Sequence, residues 1–368
     1  MTNYLQHCIV NTIGCITLDR PQALNALSLQ MVRDLTTLFR AWRYDDAVTA
    51  VLIDSSSTKA FCAGGDIRFF HQVGTQSPSG GSALLEDFFT EEYALNYLTH
   101  FFPKPIITLL DGIVMGGGMG LAQNGPQCRI GVVTERTKMA MPEVSIGLFP
   151  DVGGSYFLSR AAGQTGTFIG LTGTVIDAAD ALYCGLADVF VPASELDTLR
   201  ELVLRSRGDG VAASIHAFAA AYVTNSCTPA DNYSRSNLAQ HRSLIDQHFG
   251  FDTVVEIMDS LASDSSAYAQ LARSAMLQRS PLMLCVTLEA LRRGASLDLA
   301  DCLRMERTMV RRAFEHGEVL EGIRAAVIDK NHRPAWNPAQ LDAVQSARIA
   351  HFFETAWPAH AHPLRGLG

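Results

Sequence analysis

The sequence lacks long hydrophobic runs, and this absence excludes a membrane-spanning helix. No apolar stretch of the 368-residue chain approaches the ~20 residues that such a helix needs. The first ten residues also lack the basic region and long apolar run of a secretory signal peptide. We therefore expect a cytoplasmic protein without a membrane partner.

Basic residues are too few to form a binding surface for nucleic acid. The formal net charge is -8 and charged residues make up only 18% of the chain, so nothing supplies the basic stripe that phosphate backbones require. Hydrophobic residues make up 48%, which is typical of a globular protein with a large core. We expect no nucleic-acid partner.

Metal-binding cysteine patterns are absent. The sequence contains neither a CxxC pair nor the Cys and His spacing of a zinc site. Scattered cysteines of this kind predict free, mostly buried thiols in a reducing compartment, and we expect no metal or redox cofactor. The cysteines are Cys8, Cys15, Cys62, Cys128, Cys184, Cys227, Cys285 and Cys302.

The first half of the chain alternates between strand and helix patterns. Apolar runs at 7–10 and 15–18 flank turn residues and predict a hairpin. Ser28 is a good N-cap for an amphipathic helix. Further strands are predicted at Val48–Asp54, Ile106–Leu110 and Cys128–Val133, and a further helix at about Leu84–His100.

Beyond about residue 175 the pattern becomes helical. Apolar spacings of three and four recur in 195–206, 264–278, 281–293 and 298–328. We expect the last residues, from about Ala359, to form a loose tail. Residues 74–82 are rich in Gly, Ser and Pro and predict a flexible stretch, and the segment 74–89 is interpreted either as a lid or as an ordinary surface loop.

Two glycine-rich segments each follow a strand pattern. One contains four glycines in the five positions Gly116–Gly120, and the other is Ala63–Asp66. Glycine in a helix interior costs about 1 kcal/mol relative to alanine, so these residues make sense where backbone amides approach a ligand, such as a developing oxyanion. A tight, well-packed turn explains each segment equally well on its own.

Two carboxylates lie in the apolar segment Met141–Gly154, namely Glu143 and Asp151. Burial and a second nearby carboxylate both raise a carboxyl pKa, which separates general-acid from general-base roles. The alternative is structural. Glu143 is then a helix-start carboxylate after Pro142, and Asp151 is the N-cap of a helix over Gly153–Ala161.

Taken together, these segments resemble the enoyl-CoA hydratase/isomerase (crotonase) superfamily. The matching motifs occur in the family's order and spacing within residues 1–190. They are Ile16–Leu27, Phe61–Ile67, Gly112–Gly120 and Pro142–Glu143. The resemblance implies an α/β fold, a crotonase-like ββα spiral core over residues 1–190, followed by a helical C-terminal region over 191–358 and a tail over 359–368.

Other motifs look like those of the 3-hydroxyisobutyryl-CoA hydrolase branch. These are Glu91–Asn96, Phe149–Gly154 and Glu321–Lys330, so the resemblance covers nearly the whole chain. Enoyl-CoA hydratases carry a catalytic Glu directly after the Gly-Gly-Gly-x segment, where this chain has Gly120. The expected activity is therefore hydrolysis of a short 3-hydroxyacyl-CoA thioester in valine catabolism.

The resemblance also implies roles for individual residues. The amides of Gly65 and Gly117 would form an oxyanion hole for the thioester carbonyl, and Glu143 would attack that carbonyl or activate water, with Asp151 orienting or protonating. Glu92 matches a position that lines the acyl pocket. The adenine and ribose of coenzyme A would lie near Ala23, Leu24, Ala63, Asp66 and Ile67.

Three functions remain open at this stage. The first is the hydrolase, the second is another crotonase-type hydratase or isomerase, and the third is a non-catalytic acyl-CoA binding protein. The partner in each case is an acyl-CoA, and coenzyme A enters as part of the substrate rather than as a cofactor. Superfamily members often form homo-oligomers, although the C-terminal half can replace those contacts.

Overall fold

The chain forms two compact units, each assembled from three separate stretches of sequence. A computed structural model describes residues 4–77, 81–206, 208, 210–222 and 235–368. The first unit contains residues 1–65, 95–140 and 175–240, and the second contains 66–94, 141–174 and 241–368. The contiguous boundaries expected at residues 190 and 358 stay predictions.

Both β-sheets lie in the first unit. The larger has six strands in the order β1-β2-β3-β5-β7-β9, and the smaller has the order β4-β6-β8. Strands β1 and β2 form an antiparallel hairpin, as predicted, and every other neighbouring pair is parallel. The strands are β1 Leu5–Val10, β2 Ile13–Leu18, β3 Ala50–Ser55, β4 Ala60–Cys62, β5 Ile106–Leu110, β6 Ile113–Met115, β7 Arg129–Val133, β8 Lys138–Ala140 and β9 Val189–Phe190.

The inner strands β2, β3, β5 and β7 of the large sheet are mostly buried, which explains their nearly continuous apolar sequences, whereas the edge strand β1 is largely exposed. Strand β5 is buried along its whole length. One face of the sheet packs against two helices through residues such as Leu52, Ile107 and Val132, with Leu199 and Ile215 on the helices. Strand β9 has only two residues, and it joins the sheet in a region whose sequence predicts helix alone.

Helices connect the strands of the first half of the chain. The predicted N-cap is confirmed, because the Ser28 side chain accepts a hydrogen bond from the backbone N–H of Met31 at 3.2 Å. The helix near Leu84 is also confirmed and begins at Ala83. These helices are α1 Leu29–Arg43, α2 Ile67–Thr75, α3 Ala83–His100, α4 Gly117–Ala122, α5 Gly154–Phe157, α6 Thr165–Thr172 and α7 Ala178–Tyr183.

The second half is helical, as its apolar spacing predicts. The periodic span 298–328 is divided, because α15 ends at His316 with Gly317 as its C-cap and α16 follows, with a π-helical turn at Arg324–Ile328. The helices are α8 Leu196–Arg205, α9 Gly210–Ala220, α10 Asn237–Gln240, α11 Arg242–Phe249, α12 Val254–Ser263, α13 Ala267–Leu277, α14 Pro281–Gly294, α15 Leu299–His316, α16 Glu318–Ile323 and α17 Ser346–Phe353. In the described residues no helix is long and apolar enough to cross a membrane.

The second unit packs around α14 and α15. Helix α14 contacts α5, α6 and α17, and α15 contacts α5, α16 and α17. Aromatic rings join α2, α3 and α15, with the ring centroids of Phe89 and Phe314 5.7 Å apart and those of Phe70 and Phe88 4.7 Å apart. The fully buried Arg307 of α15 donates a hydrogen bond to Thr90 of α3 at 2.9 Å. These contacts fix the position of α3 against α2 and α15.

Two expectations about local order need correction or lie outside the described residues. Helix α2 extends to Thr75, so the predicted flexible stretch over 74–82 starts within a helix, while 78–80 lie outside the described residues. The end of the chain is not loose, because Leu364 is buried and its carbonyl accepts a hydrogen bond from Arg304.

The cysteines agree with the predicted free thiols. All seven cysteines in the described part are free, and five of them are buried. Cys8 is exposed and Cys285 is half-buried, whereas Cys227 lies outside the described residues. Burial raises the pKa of Cys302 to about 12 and that of Cys128 to about 11, which keeps both thiols protonated at neutral pH.

Gly118 provides a test of the close backbone packing between the end of β4 and helix α4. A Cβ atom at this position would lie 2.2 Å from the carbonyl oxygen of Cys62, and a backbone atom cannot move aside as a side chain can. Gly118→Ala should lower the free energy of unfolding by about 1–3 kcal/mol, measured by urea denaturation. Gly210→Ala is the control, because a Cβ atom there would have no described neighbour within 4 Å. Equal stability of the two variants would contradict the packing argument.

Candidate active site

In the first unit, the two glycine-rich segments lie side by side. Strands β4 and β6 are parallel neighbours, so the segments that follow them meet at the same sheet edge. Gly64 has a φ of +104°, and a Cβ atom there would lie 3.5 Å from the amide nitrogen of Gly117. Gly117 is the first residue of α4, and the first N–H groups of a helix have no partner within it. The fold thus brings the predicted donors Gly65 and Gly117 close together.

Three of the residues predicted to contact coenzyme A lie at this edge. Ala23 ends a short 3-10 helix, and the carbonyl of Leu24 accepts a hydrogen bond from the amide of Ala63 at 3.0 Å. The other two predicted contacts, Asp66 and Ile67, belong to the second unit. There Asp66 is the N-cap of α2 and accepts a hydrogen bond from the amide of Phe69.

In the second unit, three carboxylates form a buried acidic cluster, which we define as Glu92, Glu143 and Asp151. Their exposed fractions are 2%, 6% and 5%. Glu92 lies on α3, Glu143 begins the 3-10 helix Glu143–Ile146, and Asp151 lies in the loop before α5. Charged side chains are rarely buried to this extent without partners, so this acidic cluster needs a functional explanation.

The three carboxylates differ in their hydrogen bonds. Tyr93 is fully buried, and its hydroxyl donates to Oδ2 of Asp151 at 2.7 Å. By contrast, Oε1 of Glu92 and Oε2 of Glu143 have no hydrogen-bond partner among the residues that the structure describes. An unpartnered buried polar atom is costly, and these two oxygens are therefore suited to a proton, a water molecule or a substrate group.

Electrostatics separates the pKa values within the acidic cluster. Burial raises the pKa of Glu143 well above its usual range, and the charge of Asp151 raises it further. Burial, Asp151 and Glu143 do the same to the pKa of Glu92. Burial raises the pKa of Asp151 only to about 6, because the hydrogen bond from Tyr93 favours its ionised form. Asp151 is therefore the member of the acidic cluster that ionises most readily.

This arrangement suits acid-base chemistry. A carboxyl group with a raised pKa can donate a proton near neutral pH, and once ionised it is a stronger base than an exposed carboxylate. In the described residues, no group of three or more His, Cys, Asp or Glu side chains is arranged to hold a metal ion.

The structure agrees with the helix-start role considered for Glu143 but not with the N-cap role considered for Asp151. Glu143 does begin a helical turn directly after Pro142. The expectation that Asp151 is an N-cap is wrong, since α5 begins at Gly154 after Gly153 and its first turn receives no capping bond from Asp151. The side chain of Asp151 instead accepts from Tyr93.

The cap of α5 comes from a residue that the sequence patterns did not indicate. Glu306 on α15 is completely buried and accepts hydrogen bonds from the amides of Gly153 and Ser155 at 2.7 and 2.9 Å. In the sequence, the role of Glu306 could have been suspected because this acidic residue lies on the core-facing side of an amphipathic helix, between Leu303 and Val310. Tyr93 was also missed, although it lies inside the Glu91–Asn96 motif.

Known proteins are similar to this chain in sequence and in fold. A family profile described as enoyl-CoA hydratase/isomerase matches residues 13–353. The chain is 37% identical over 344 residues to a Homo sapiens protein named 3-hydroxyisobutyryl-CoA hydrolase, mitochondrial, covering 93% of this chain and 86% of that protein. A Gallus gallus protein of the same name is 36% identical over 344 residues, with the same coverage.

Two solved structures are also similar. A protein from Mycobacterium thermoresistibile, described as a carnitinyl-CoA dehydratase, has a TM-score of 0.87 and 36% identity, covering 97% of this chain and 98% of that one. A Rhodobacter sphaeroides 2.4.1 protein, described as an enoyl-CoA hydratase, has a TM-score of 0.84 and 35% identity, covering 96% and 98%. The chain therefore belongs to the enoyl-CoA hydratase/isomerase family and has the crotonase fold.

Proposed function

We propose that the protein hydrolyses a short 3-hydroxyacyl-CoA thioester, with 3-hydroxyisobutyryl-CoA as the favoured substrate, to the free hydroxy acid and coenzyme A. In a cell this reaction would serve valine catabolism. The observation that carries the proposal is the buried pair Glu143 and Asp151, combined with a glycine at position 120, where a hydratase of this family has its other glutamate. The relatives named as hydrolases over nearly the whole chain support the same choice.

Hydrolysis requires that negative charge on the thioester oxygen be stabilised. The amides of Gly65 and Gly117 are suited to this role, because they follow adjacent parallel strands and Gly117 begins a helix. One such donor contributes about 3 kcal/mol to lowering the barrier. The oxygen of water forms a bond to the carbonyl carbon, the carbon–sulfur bond breaks, and the departing sulfur receives a proton.

Glu143 is the proposed base or nucleophile. In one route it takes a proton from the attacking water. In the other its carboxylate attacks the carbonyl, forms an acyl anhydride and releases the thiol before water completes the reaction. A single turnover in isotopically labelled water separates the routes, since only the anhydride route transfers solvent oxygen into the Glu143 carboxyl.

The other predicted residues bind and orient the substrate. We assign Asp151 to orientation of the water or of the substrate hydroxyl. Glu92 is assigned to the acyl pocket, because its Oε1 has no hydrogen-bond partner among the described residues and is available to a hydroxyl group. Ala23, Leu24, Ala63, Asp66 and Ile67 are assigned to coenzyme A. The absence of a cofactor and a cytoplasmic location stay predictions, and the relatives named above are mitochondrial proteins.

A second candidate function has specific support. The two similar structures are described as a dehydratase and a hydratase, so addition of water to an enoyl-CoA, or its removal, is the alternative. Free thiol distinguishes these activities, because only hydrolysis breaks the carbon–sulfur bond.

The proposal is tested by mixing the protein with 3-hydroxyisobutyryl-CoA and, separately, with crotonyl-CoA. A colorimetric thiol reagent follows hydrolysis, enoyl absorbance follows hydration, and an enzyme-only blank corrects for the exposed Cys8. We expect rapid thiol release from the first substrate and no loss of enoyl absorbance with the second. Loss of enoyl absorbance without thiol release would identify a hydratase, and no reaction with either would leave a different acyl group or an acyl-CoA binding protein.

Glu143→Gln should lower kcat for thiol release by about 10²–10⁴-fold, the usual contribution of a general acid-base group. The amide preserves the shape of the side chain but neither accepts a proton nor attacks a carbonyl. Glu201→Gln is the matched control, because that glutamate is exposed on α8, where it pairs with Arg205. Activity of Glu143→Gln equal to that of the control would remove Glu143 from the mechanism.

Asp151→Asn should move the acid limb of the kcat/KM profile to lower pH. The charge of Asp151 raises the pKa of Glu143, so its removal stabilises the Glu143 anion and lowers that pKa. The ionised form of Glu143, which acts as base or nucleophile, is then populated at lower pH. The value of kcat still falls, because Asp151 no longer orients the water or the substrate hydroxyl. The measurement is thiol release across the range from about pH 5 to pH 9, which brackets the usual working range of such groups, for both proteins. An unchanged or alkaline-shifted limb would contradict the coupling.

A further inference from the structure

The loop that carries Asp151 is held from a distant part of the chain. Oε2 of Glu306 accepts from the amide of Gly153 at 2.7 Å, and Oε1 accepts from the amide of Ser155 at 2.9 Å and from its hydroxyl at 2.5 Å. Glu306 and Gly153 are 153 positions apart in sequence. The amides belong to the start of α5, where negative charge is stabilised by the helix. A carboxylate with three donors fixes this backbone in one arrangement.

The loop needs such a constraint because it is strained. Val152 has a φ of +55°, a conformation that is costly for a β-branched residue and persists only when its surroundings impose it. Asp151 directly precedes Val152, and its carbonyl accepts from the amide of Gly154 at 2.7 Å. The bonds from Glu306 to Gly153 and Ser155 therefore stabilise the backbone geometry that aims the Asp151 side chain.

Tyr93 constrains the other end of Asp151. Its hydroxyl donates to Oδ2 at 2.7 Å from α3, which is tied to α15 by the hydrogen bond between Arg307 and Thr90. Helix α15 thus supports Asp151 twice, through Glu306 on the loop and through the neighbouring Arg307 on α3. The titratable groups that face Asp151 are Glu92 and Tyr93 from α3, Glu143, and Glu306.

We infer that Glu306 and Tyr93 are positioning residues for Asp151, with Glu306 fixing the backbone of its loop and Tyr93 fixing its carboxylate. This inference rests on the proposed function only where it predicts a change in kcat. Burial raises the pKa of Glu306 to about 8, and the three donors favour its ionised form. The long C-terminal part of the chain then contributes directly to the geometry of the acidic cluster.

The test uses Glu306→Gln and Tyr93→Phe in the full chain. In Glu306→Gln the introduced amide cannot accept from all three donors, because its nitrogen is itself a donor. The loop loosens, and a small displacement of a catalytic group costs up to ~10²-fold in rate, so we expect kcat to fall at least about tenfold, with KM within about threefold. Ser155→Ala removes only the hydroxyl donor and should give a smaller change in the same direction.

Asp180→Asn is the matched control. Asp180 is also buried, and its carboxylate also accepts from a serine hydroxyl, Ser236, and from a backbone amide, that of Leu238, at the start of a helix. It lies in the first unit. This variant should lower the melting temperature, as Glu306→Gln does, and leave kcat unchanged.

A second readout does not depend on activity. Carbon-13 NMR of labelled aspartate carboxyls gives the pKa of Asp151, which is about 6 in the wild-type protein, with Asp151→Asn assigning the signal. Glu306→Gln loosens the loop and lets water reach Asp151, and the weaker burial lowers this pKa. Tyr93→Phe removes the hydrogen bond that favours the anion, and so raises it.

We expect the pKa of Asp151 to fall in Glu306→Gln, to rise in Tyr93→Phe and to be unchanged in Asp180→Asn. Shifts of the same sign in both, or an unchanged pKa and kcat in Glu306→Gln despite a lower melting temperature, would reduce Glu306 to a stabilising residue and overturn the inference. Lack of thiol release by the wild-type protein is a different result. It would reject the proposed function, while the pKa shifts would still decide whether these residues position Asp151.

Discussion

Mutual repulsion among buried carboxylates is the constraint on which the rest of this site depends. Glu92, Glu143 and Asp151 are each at least nine-tenths buried in one compact unit, and three negative charges cannot be held there together without a large cost. The hydrogen bond from Tyr93 selects Asp151 as the ionised member. The pKa values of the two glutamates are raised well above their usual range, and each has one carboxyl oxygen without a partner among the described residues. A site in this state can exchange protons with a bound substrate and its attacking water.

The first unit contributes a different kind of constraint. Its parallel strands β4 and β6 place two glycine-rich segments at one edge of a sheet, where a Cβ on Gly118 would collide with the carbonyl of Cys62. Close backbone packing of this kind presents amide groups without intervening side chains. Amide groups presented in this way are suited to the stabilisation of an oxyanion.

Much of this architecture could be predicted from the sequence. The hairpin, the Ser28 cap, strand β5 and most C-terminal helices follow local periodicity, and the motif resemblance indicates the fold. The three-residue strands β4, β6 and β8 could not be predicted, because they are too short for a periodic signal. Glu306 was missed for another reason. Its partners at Gly153 and Ser155 are 153 and 151 positions away, and an acidic residue on a helix face gives no local sign of what it contacts. The same is true of Asp151, whose predicted capping role is local but whose actual partner, Tyr93, is 58 positions away.

The most direct test of this account is the protonation state of the acidic cluster itself. Carbon-13 carboxyl NMR on protein labelled at glutamate and aspartate, with single substitutions to assign the signals, would follow Glu92, Glu143 and Asp151 through a pH titration. The account predicts that Asp151 titrates near pH 6, that both glutamates titrate well above their ordinary range, and that removal of the Asp151 charge lowers both glutamate pKa values. Titration of all three groups in the ordinary range of exposed carboxyls, at about pH 4, would contradict it.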